Sequence, residues 1–195
     1  MKKTLLFFAF ILTTVVAAQA QSPRFGVRVG ANYSGLTGDD PTAYTDRMFG
    51  FHAGITSQFA LTSDNFLAIQ PEVLFSKKGA ETKDDNRKIK LSYIDVPVLA
   101  KVNAGPLYFE AGPQVSFRIG GDIEQGGNNI IDDLDFYKAT SFGYAAGIGL
   151  ASTPLGLSIG VRYNGDISKL NDVDNISDRR NDVFMLTVAY MLPGR

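Results

Sequence analysis

The sequence predicts an all-β fold, an eight-stranded antiparallel up-and-down transmembrane β-barrel behind a cleaved signal peptide. Three features predict it. Between Arg24 and Leu192, eight stretches of about ten to twelve residues alternate apolar with small or polar side chains. Period two places those sets on opposite faces of a strand. On the apolar phase, aromatic residues gather at the stretch ends and aliphatic ones in the middle, as at the two interfacial girdles of a bilayer. Long and short connections alternate, as they do where loops crowd one end of a barrel and tight turns the other.

The first element stands apart. Lys2 and Lys3 precede an apolar run from Leu5 to Ala18, and Ala18-Gln19-Ala20 supplies small residues for a cut ahead of Gln21. These are the parts of a secretory signal peptide, so residues 1–20 are read as the signal and 21–195 as the barrel domain. An uncleaved anchor helix is the rival, and the shortness of the run argues against it. Cysteine is absent, which excludes a lipid anchor after the cut, a disulfide framework and a thiol nucleophile. The formal net charge is −1, and losing Lys2 and Lys3 takes it to −3, which leaves no basic footprint for nucleic acid. Mean hydropathy is −0.01, as expected when every second barrel residue faces a polar lumen.

The first stretch sets Phe25, Val27, Val29, Ala31 and Tyr33 against Gly26, Arg28, Gly30, Asn32 and Ser34. The second, Met48 to Leu61, sets Phe49, Phe51, Ala53, Ile55 and Phe59 against Gly50, His52, Gly54, Thr56 and Gln58. Thr62-Ser63-Asp64-Asn65 then makes a tight turn. The third carries Leu67, Ile69, Val73 and Phe75 outward against Gln70, Glu72 and Ser76, and Lys77 to Lys88 follows as a charged, solvated loop. The fourth, Ile89 to Val102, slips phase: Ile89, Leu91 and Tyr93 share one face, and Ile94, Val96, Val98, Ala100 and Val102 the other. A bulge near Tyr93-Ile94 is expected to reconcile them.

Asn103-Ala104-Gly105-Pro106 turns into the fifth stretch, with Leu107, Phe109, Ala111, Val115, Phe117 and Ile119 against Tyr108, Glu110, Gly112, Gln114, Ser116 and Arg118. Phe142 to Val161 is uncharged, long enough for a membrane helix, and contains Gly143/Gly147 as GxxxG. Its glycines and central Thr153-Pro154 favour instead two strands, about Lys138 to Ser152 and Gly156 to Gly165. The eighth stretch carries Phe184, Leu186, Val188, Tyr190 and Leu192. Joins at about 35–47, 77–88, 120–137 and 166–181 are long; the others are two to five residues. With the N-terminus in the periplasm, the long loops face outside.

A soluble, lipocalin-like barrel would alternate too, with its apolar face inward. Glycines 26, 30, 50, 54, 112, 143, 147, 149 and 160 fall on the polar phase; a narrow interior needs small side chains, whereas a solvent face has little use for strand glycine. The polar-phase charges also balance, with Arg28, Lys101, Arg118 and Arg162 against Glu72, Asp95 and Glu110. Eight strands leave an interior that side chains fill, so these residues, with His52, are expected to form a paired lumen network that plugs the barrel.

FGVRVGANYSG (Phe25 to Gly35), PEVLFSKKG (Pro71 to Gly79), YIDVPVLAK (Tyr93 to Lys101), YFEAGPQVSF (Tyr108 to Phe117), GYAAGIGL (Gly143 to Leu150) and Arg162-Tyr163-Asn164 together resemble the PorT-like outer-membrane β-barrel family of Gram-negative bacteria. The strand prolines Pro71, Pro97 and Pro113 belong to the resemblance; each lacks a ladder donor, so bulges or local water are expected there. The C-terminus departs from many such barrels, since Pro193-Gly194-Arg195 replaces a final aromatic residue. The resemblance implies a small outer-membrane barrel, and the family's named member is an accessory of a secretion system.

No catalytic motif, cofactor site or metal site emerges from the residues. A His52–serine–carboxylate group drawn from Ser34, Ser76 and Glu72 is the one enzymatic arrangement to weigh, and a lumen hydrogen-bond role for His52 is favoured over it. Asp132, Asp133, Asp135, Asp172, Asp174 and Asp178 lack the spacing of a Ca²⁺ loop and read as solvated charge. The leading expectation is a non-enzymatic, monomeric barrel in outer-membrane lipid, with a structural or surface-binding role through its long loops. An accessory subunit that contacts envelope or secretion-system proteins, and a small passive channel, are the alternatives.

Overall fold

In the computed structural model, residues 23–38, 46–82, 87–125, 128–131, 138–151, 155–168 and 179–192 are described. The signal segment and the six loop aspartates lie outside the described residues. The strands are β1 Arg24–Gly38, β2 Asp46–Ala60, β3 Leu67–Thr82, β4 Arg87–Ala104, β5 Leu107–Gln125, a short β6 Asn128–Ile131, β7 Thr140–Leu150, β8 Leu157–Asp166 and β9 Arg179–Met191. Each long strand pairs antiparallel with its neighbours in the order β4-β3-β2-β1-β9-β8-β7-β5, and β4–β5 pairing closes the ring at eight strands. β6 adds only to the far end of β5.

The wall is inside-out relative to a soluble barrel. Val27, Ile55 and Val161 are 53%, 62% and 55% exposed, while Arg28, Glu72 and Arg162 are 4%, 2% and 3% exposed. The apolar face therefore meets lipid and the polar face fills the lumen. The stretch weighed as a helix is the β7–β8 hairpin, whose turn places Gly156 at φ +85°. Among the described residues no helix is long and apolar enough to cross a membrane.

At the short-turn end, Gly105 (φ +63°) turns β4 into β5 and Asn65 (φ 58°) serves the β2–β3 turn. That turn is tied by Leu67 N donating to Thr62 Oγ1 and Phe66 N donating to Asp64 Oδ1, both at 3.0 Å.

Three expectations change. The join at 77–88 is largely strand and the one at 35–47 is strand at both its ends, because β1 through β4 run on to Gly38, from Asp46, to Thr82 and from Arg87; paired backbone, not side-chain polarity, decides how far these strands run. β4 carries no bulge. It pairs with β3 in one register throughout, and Ile89, Leu91, Tyr93, Asp95, Leu99 and Lys101 all point inward. The irregularity falls on the neighbouring strand, where Ser92 pairs with Gly120 and Tyr93 with Arg118, so that Ile119 on β5 is skipped. The strand prolines bring no bulge either. Pairing lapses between Pro71↔Val98 and Leu74↔Asp95, and again between Pro97↔Gln114 and Ala100↔Ala111, but register is unchanged across both gaps.

Candidate functional site

Four strands deliver the centre of the lumen. Arg28 on β1, Glu72 on β3, Glu110 on β5 and Arg162 on β8 are all buried on the inward phase. Arg28 Nη1 donates to Glu72 at 2.5 Å and to Glu110 at 3.4 Å. Arg162 Nη1 donates to Glu72 at 2.8 Å and its Nε to Glu110 at 2.7 Å. Gln70 Nε2 adds a donor to Glu72 at 2.7 Å. Each carboxylate thus meets both guanidiniums, and the four charges sum to zero. Buried ions persist only with such pairing and hydrogen bonding, and the guanidinium fork suits two acceptors at once. Glycine supplies the room: a Cβ on Gly147 would lie 3.1 Å from Glu110 Oε1 and 3.2 Å from Arg162 Cβ.

Nearer the short turns, Tyr108 lies along the inner wall over glycines of the next two strands, at one pairing level with Gly149 and Gly160. A Cβ on Gly160 would fall 2.1 Å from its hydroxyl oxygen, and one on Gly149 2.5 Å from its ring. Lys101 Nζ sits 4.3 Å from the centre of the same ring, within reach of a cation–π attraction.

His52 is wholly buried and takes its hydrogen bonds from other residues than these charges. Its Nδ1 is 2.7 Å from Asn32 Oδ1, and its Nε2 is 3.0 Å from Thr187 Oγ1. The Asn32 amide nitrogen is committed as a donor to Phe51 O, Lys77 O and Ser76 Oγ, which assigns the oxygen to the imidazole and the proton to Nδ1. Ser34 bonds the Gly79 backbone. The serine–histidine–carboxylate arrangement is therefore not assembled: His52 contacts an amide and a threonine.

Toward the long loops, Lys78 donates to Asp95 at 2.8 Å and lies 4.7 Å from the centre of the Tyr93 ring. Asn181 and Ser141 donate to Asp166 beside them. Ile89, Leu91 and Tyr93 form an apolar layer with Leu36 and Ile123 packed against it. Arg118 is half-buried on β5 opposite Tyr93.

By their hydrogen bonds and ring contacts the eight residues expected as one network fall into groups. Arg28, Glu72, Glu110 and Arg162 converge; Lys101 joins Tyr108, His52 joins Asn32 and Thr187, Asp95 joins Lys78, and Arg118 stands near the apolar layer. Reading 77–88 as a loop hid Lys78, and assuming that apolar residues face lipid hid Tyr93. The signal was unbroken alternation from Ile89 to Lys101, legible once apolar side chains are allowed inside.

A family model described as "Outer membrane protein beta-barrel domain" matches residues 18–172. No curated protein sequence matches the chain. Among solved structures, Neisserial surface protein A (NspA) is 20% identical, with 87% of this chain and 99% of that chain covered and a TM-score of 0.53. Ail, the attachment invasion locus protein of Yersinia pestis, is 18% identical over 88% of this chain and 99% of its own, with a TM-score of 0.52. Its complex with the heparin analogue sucrose octasulfate aligns at 16% identity with the same coverage and a TM-score of 0.51. At these identities the likeness is one of fold.

Proposed function

The chain belongs to the outer membrane protein β-barrel domain family and is an outer-membrane barrel, and from that premise we propose that it acts without enzymatic chemistry, as a structural and surface-binding barrel of the PorT-like group. The filled lumen carries this reading. With Arg28, Glu72, Glu110 and Arg162 mutually neutralised across the bore and Tyr108 laid over Gly149 and Gly160, the interior stabilises the wall rather than passing solute. The surfaces left for work are the long-loop end, taken to face outside, and the wall. NspA and Ail, named for the surface and for attachment, lend this reading a precedent of fold. The barrel is proposed to stand as a monomer in outer-membrane lipid.

Planar-bilayer recording on purified protein is expected to give a silent membrane; reproducible conductance steps would overturn the filled-lumen reading in favour of a passive channel. Deleting residues from the segment 169–178, expected from the sequence to be part of a long loop, should reduce binding of whole cells to their targets while the purified barrel keeps its heat-dependent gel shift. Unchanged binding would remove the loops from the proposal.

A second reading, an accessory subunit of a secretion assembly, is favoured by one feature of the wall. An apolar groove of about 440 Å³ near the short turns is lined by Phe25, Val27, Ile55, Val73, Tyr190 and Leu192. Co-purification of a stoichiometric partner from gently solubilised membranes, lost on placing a charge at Ile55, would select this reading.

A further inference from the structure

We propose that the outer wall carries a sugar-binding hollow at the long-loop end, suited to the hydroxyl-rich headgroup of an outer-leaflet glycolipid. Through the middle of the wall, the outward phase of β7, β8, β9 and β1 is aliphatic, with Ile148, Val161, Leu186 and Val29 exposed. Toward the long loops it becomes aromatic at Tyr144, Tyr163, Phe184 and Tyr33, and one pairing level aligns Tyr144↔Gly165, Gly165↔Asp182 and Asp182↔Gly35.

The two glycines are outward, and neither has the positive φ that calls for glycine. They provide space. A Cβ on Gly165 would stand 3.1 Å from both the Tyr144 and Tyr163 rings, and one on Gly35 3.1 Å from the Arg47 side chain and 3.3 Å from Asp182. The result is a hollow of about 370 Å³ bordered on the outward phase by Thr37, Tyr144, Tyr163, Gly165, Arg180 and Asp182, and reaching the inward-phase Asp166 and Asn181, within the size range of small-ligand sites.

Its chemistry selects the ligand. The tyrosine rings, 6.0 Å apart and tilted by 52°, offer apolar faces with polar rims, which match the apolar face and hydroxyl edge of a sugar. The Asp182 carboxylate accepts, the Arg180 guanidinium donates and the Thr37 hydroxyl does both, as neighbouring sugar hydroxyls require. Arg47 pairs with Asp182 and stacks 5.0 Å from the Phe184 ring centre and 5.7 Å from that of Tyr33, which fixes that carboxylate at the rim.

Competing ligands fit less well. The Asp182 carboxylate opposes a free phosphate, the guanidiniums oppose a cation, and the polar lining wastes an acyl chain. Among the described residues no cluster of histidine or carboxylates could hold a metal. Six of the eight described residues that border it lie on the lipid-facing phase, at the level of the aromatic girdle, where headgroups lie. This places the sugar on a lipid.

The assignment to the outer leaflet rests on the orientation given above, with the long loops outward. Labelling of a cysteine introduced near that end, on intact cells, tests the orientation separately. Binding is tested on delipidated, purified full-length protein by native mass spectrometry with purified lipopolysaccharide, its water-soluble delipidated saccharide, and phosphatidylethanolamine. Wild type is expected to retain lipopolysaccharide, and the saccharide should compete more weakly. Gly165→Leu, which fills the hollow, and Arg180→Ala, an exposed change that leaves the wall intact, should each weaken retention about tenfold or more while the heat-dependent gel shift persists. Equal retention by the variants, or competition by phosphatidylethanolamine as effective as that by lipopolysaccharide, overturns the proposal. Saccharide that binds as tightly as the whole glycolipid overturns the lipid source.

Discussion

The lumen is filled in two different ways along its length. At its centre, Arg28, Glu72, Glu110 and Arg162 neutralise one another within space that Gly147 leaves open. Toward the long loops, Ile89, Leu91 and Tyr93 on β4 pack with Leu36 and Ile123 into an apolar layer, and the pair Lys78–Asp95 lies beside Tyr93. An ionic layer is stable only as a complete set, because each buried charge depends on a particular partner from another strand. An apolar layer depends on volume, and tolerates change in proportion to the cavity left behind. The two layers should therefore fail differently.

The largest effect is expected at the centre. Arg162→Met leaves Glu72 and Glu110 facing each other with Arg28 alone to neutralise both, and should cost about 3–5 kcal/mol. Denaturant unfolding followed by the heat-dependent gel shift measures it. Adding Glu110→Gln should restore a large part of the loss, since one positive and one negative charge remain. Failure of that second change to recover stability would mean that the cluster is not coupled through charge.

Leu91→Ala tests the apolar layer and should cost about 2 kcal/mol or somewhat more through the cavity it opens. The same position distinguishes the two phases of β4. Cysteine at Leu91 should resist a lipid-soluble label, whereas cysteine at Ile94 should react; the reverse pattern would place Leu91 on the lipid face and remove the apolar plug.

That strand shows how far the sequence could be read. The central layer was legible because Arg28, Glu72, Glu110 and Arg162 are charges on a phase that is otherwise small and polar, and such charges must go inward and pair. The apolar layer was missed because sending every apolar side chain to lipid broke the alternation that runs from Ile89 to Lys101 with Leu91 inward and Ile94 outward; pairing with β3 in one register restores it. Lys78 was hidden for a related reason. Its neighbours from Lys77 to Lys88 are so charged that they suggest a loop, yet hairpin backbone bonds carry β3 and β4 past the apolar band. The division of the expected network into separate groups depends on the stagger between strands, which no single stretch encodes.

Below both layers in sensitivity comes packing against glycine. Gly160→Ala places a methyl against the Tyr108 hydroxyl, where the Cβ would stand 2.1 Å from oxygen, and overpacking of this kind costs about 1–3 kcal/mol. Tyr108→Phe removes the nearest atom and should relieve part of the cost in the double variant. An additive result from the two changes would show that the ring and the glycine are not in contact.

The smallest effect belongs to the exposed turn, which serves as the control for both buried layers. A hydrogen bond from the Thr62 side chain, then one from the Phe66 amide, hold the Asp64 carboxyl below its ordinary value of 3.8. A carboxylate whose folded pKa is lowered stabilises the fold above its unfolded pKa, and that contribution disappears as pH falls through the folded one. Asp64→Asn keeps an acceptor at the turn but removes the charge, so the variant should lie slightly below wild type at neutral pH and converge with it in acid. Unfolding midpoints for both proteins across that range measure the difference. Because Asp64 is bathed in solvent, water screens its interactions as it cannot screen those of Glu72. A loss at Asp64 as large as that at Arg162 would mean that burial does not set the scale of these interactions, and the contrast between lumen and surface would have to be abandoned.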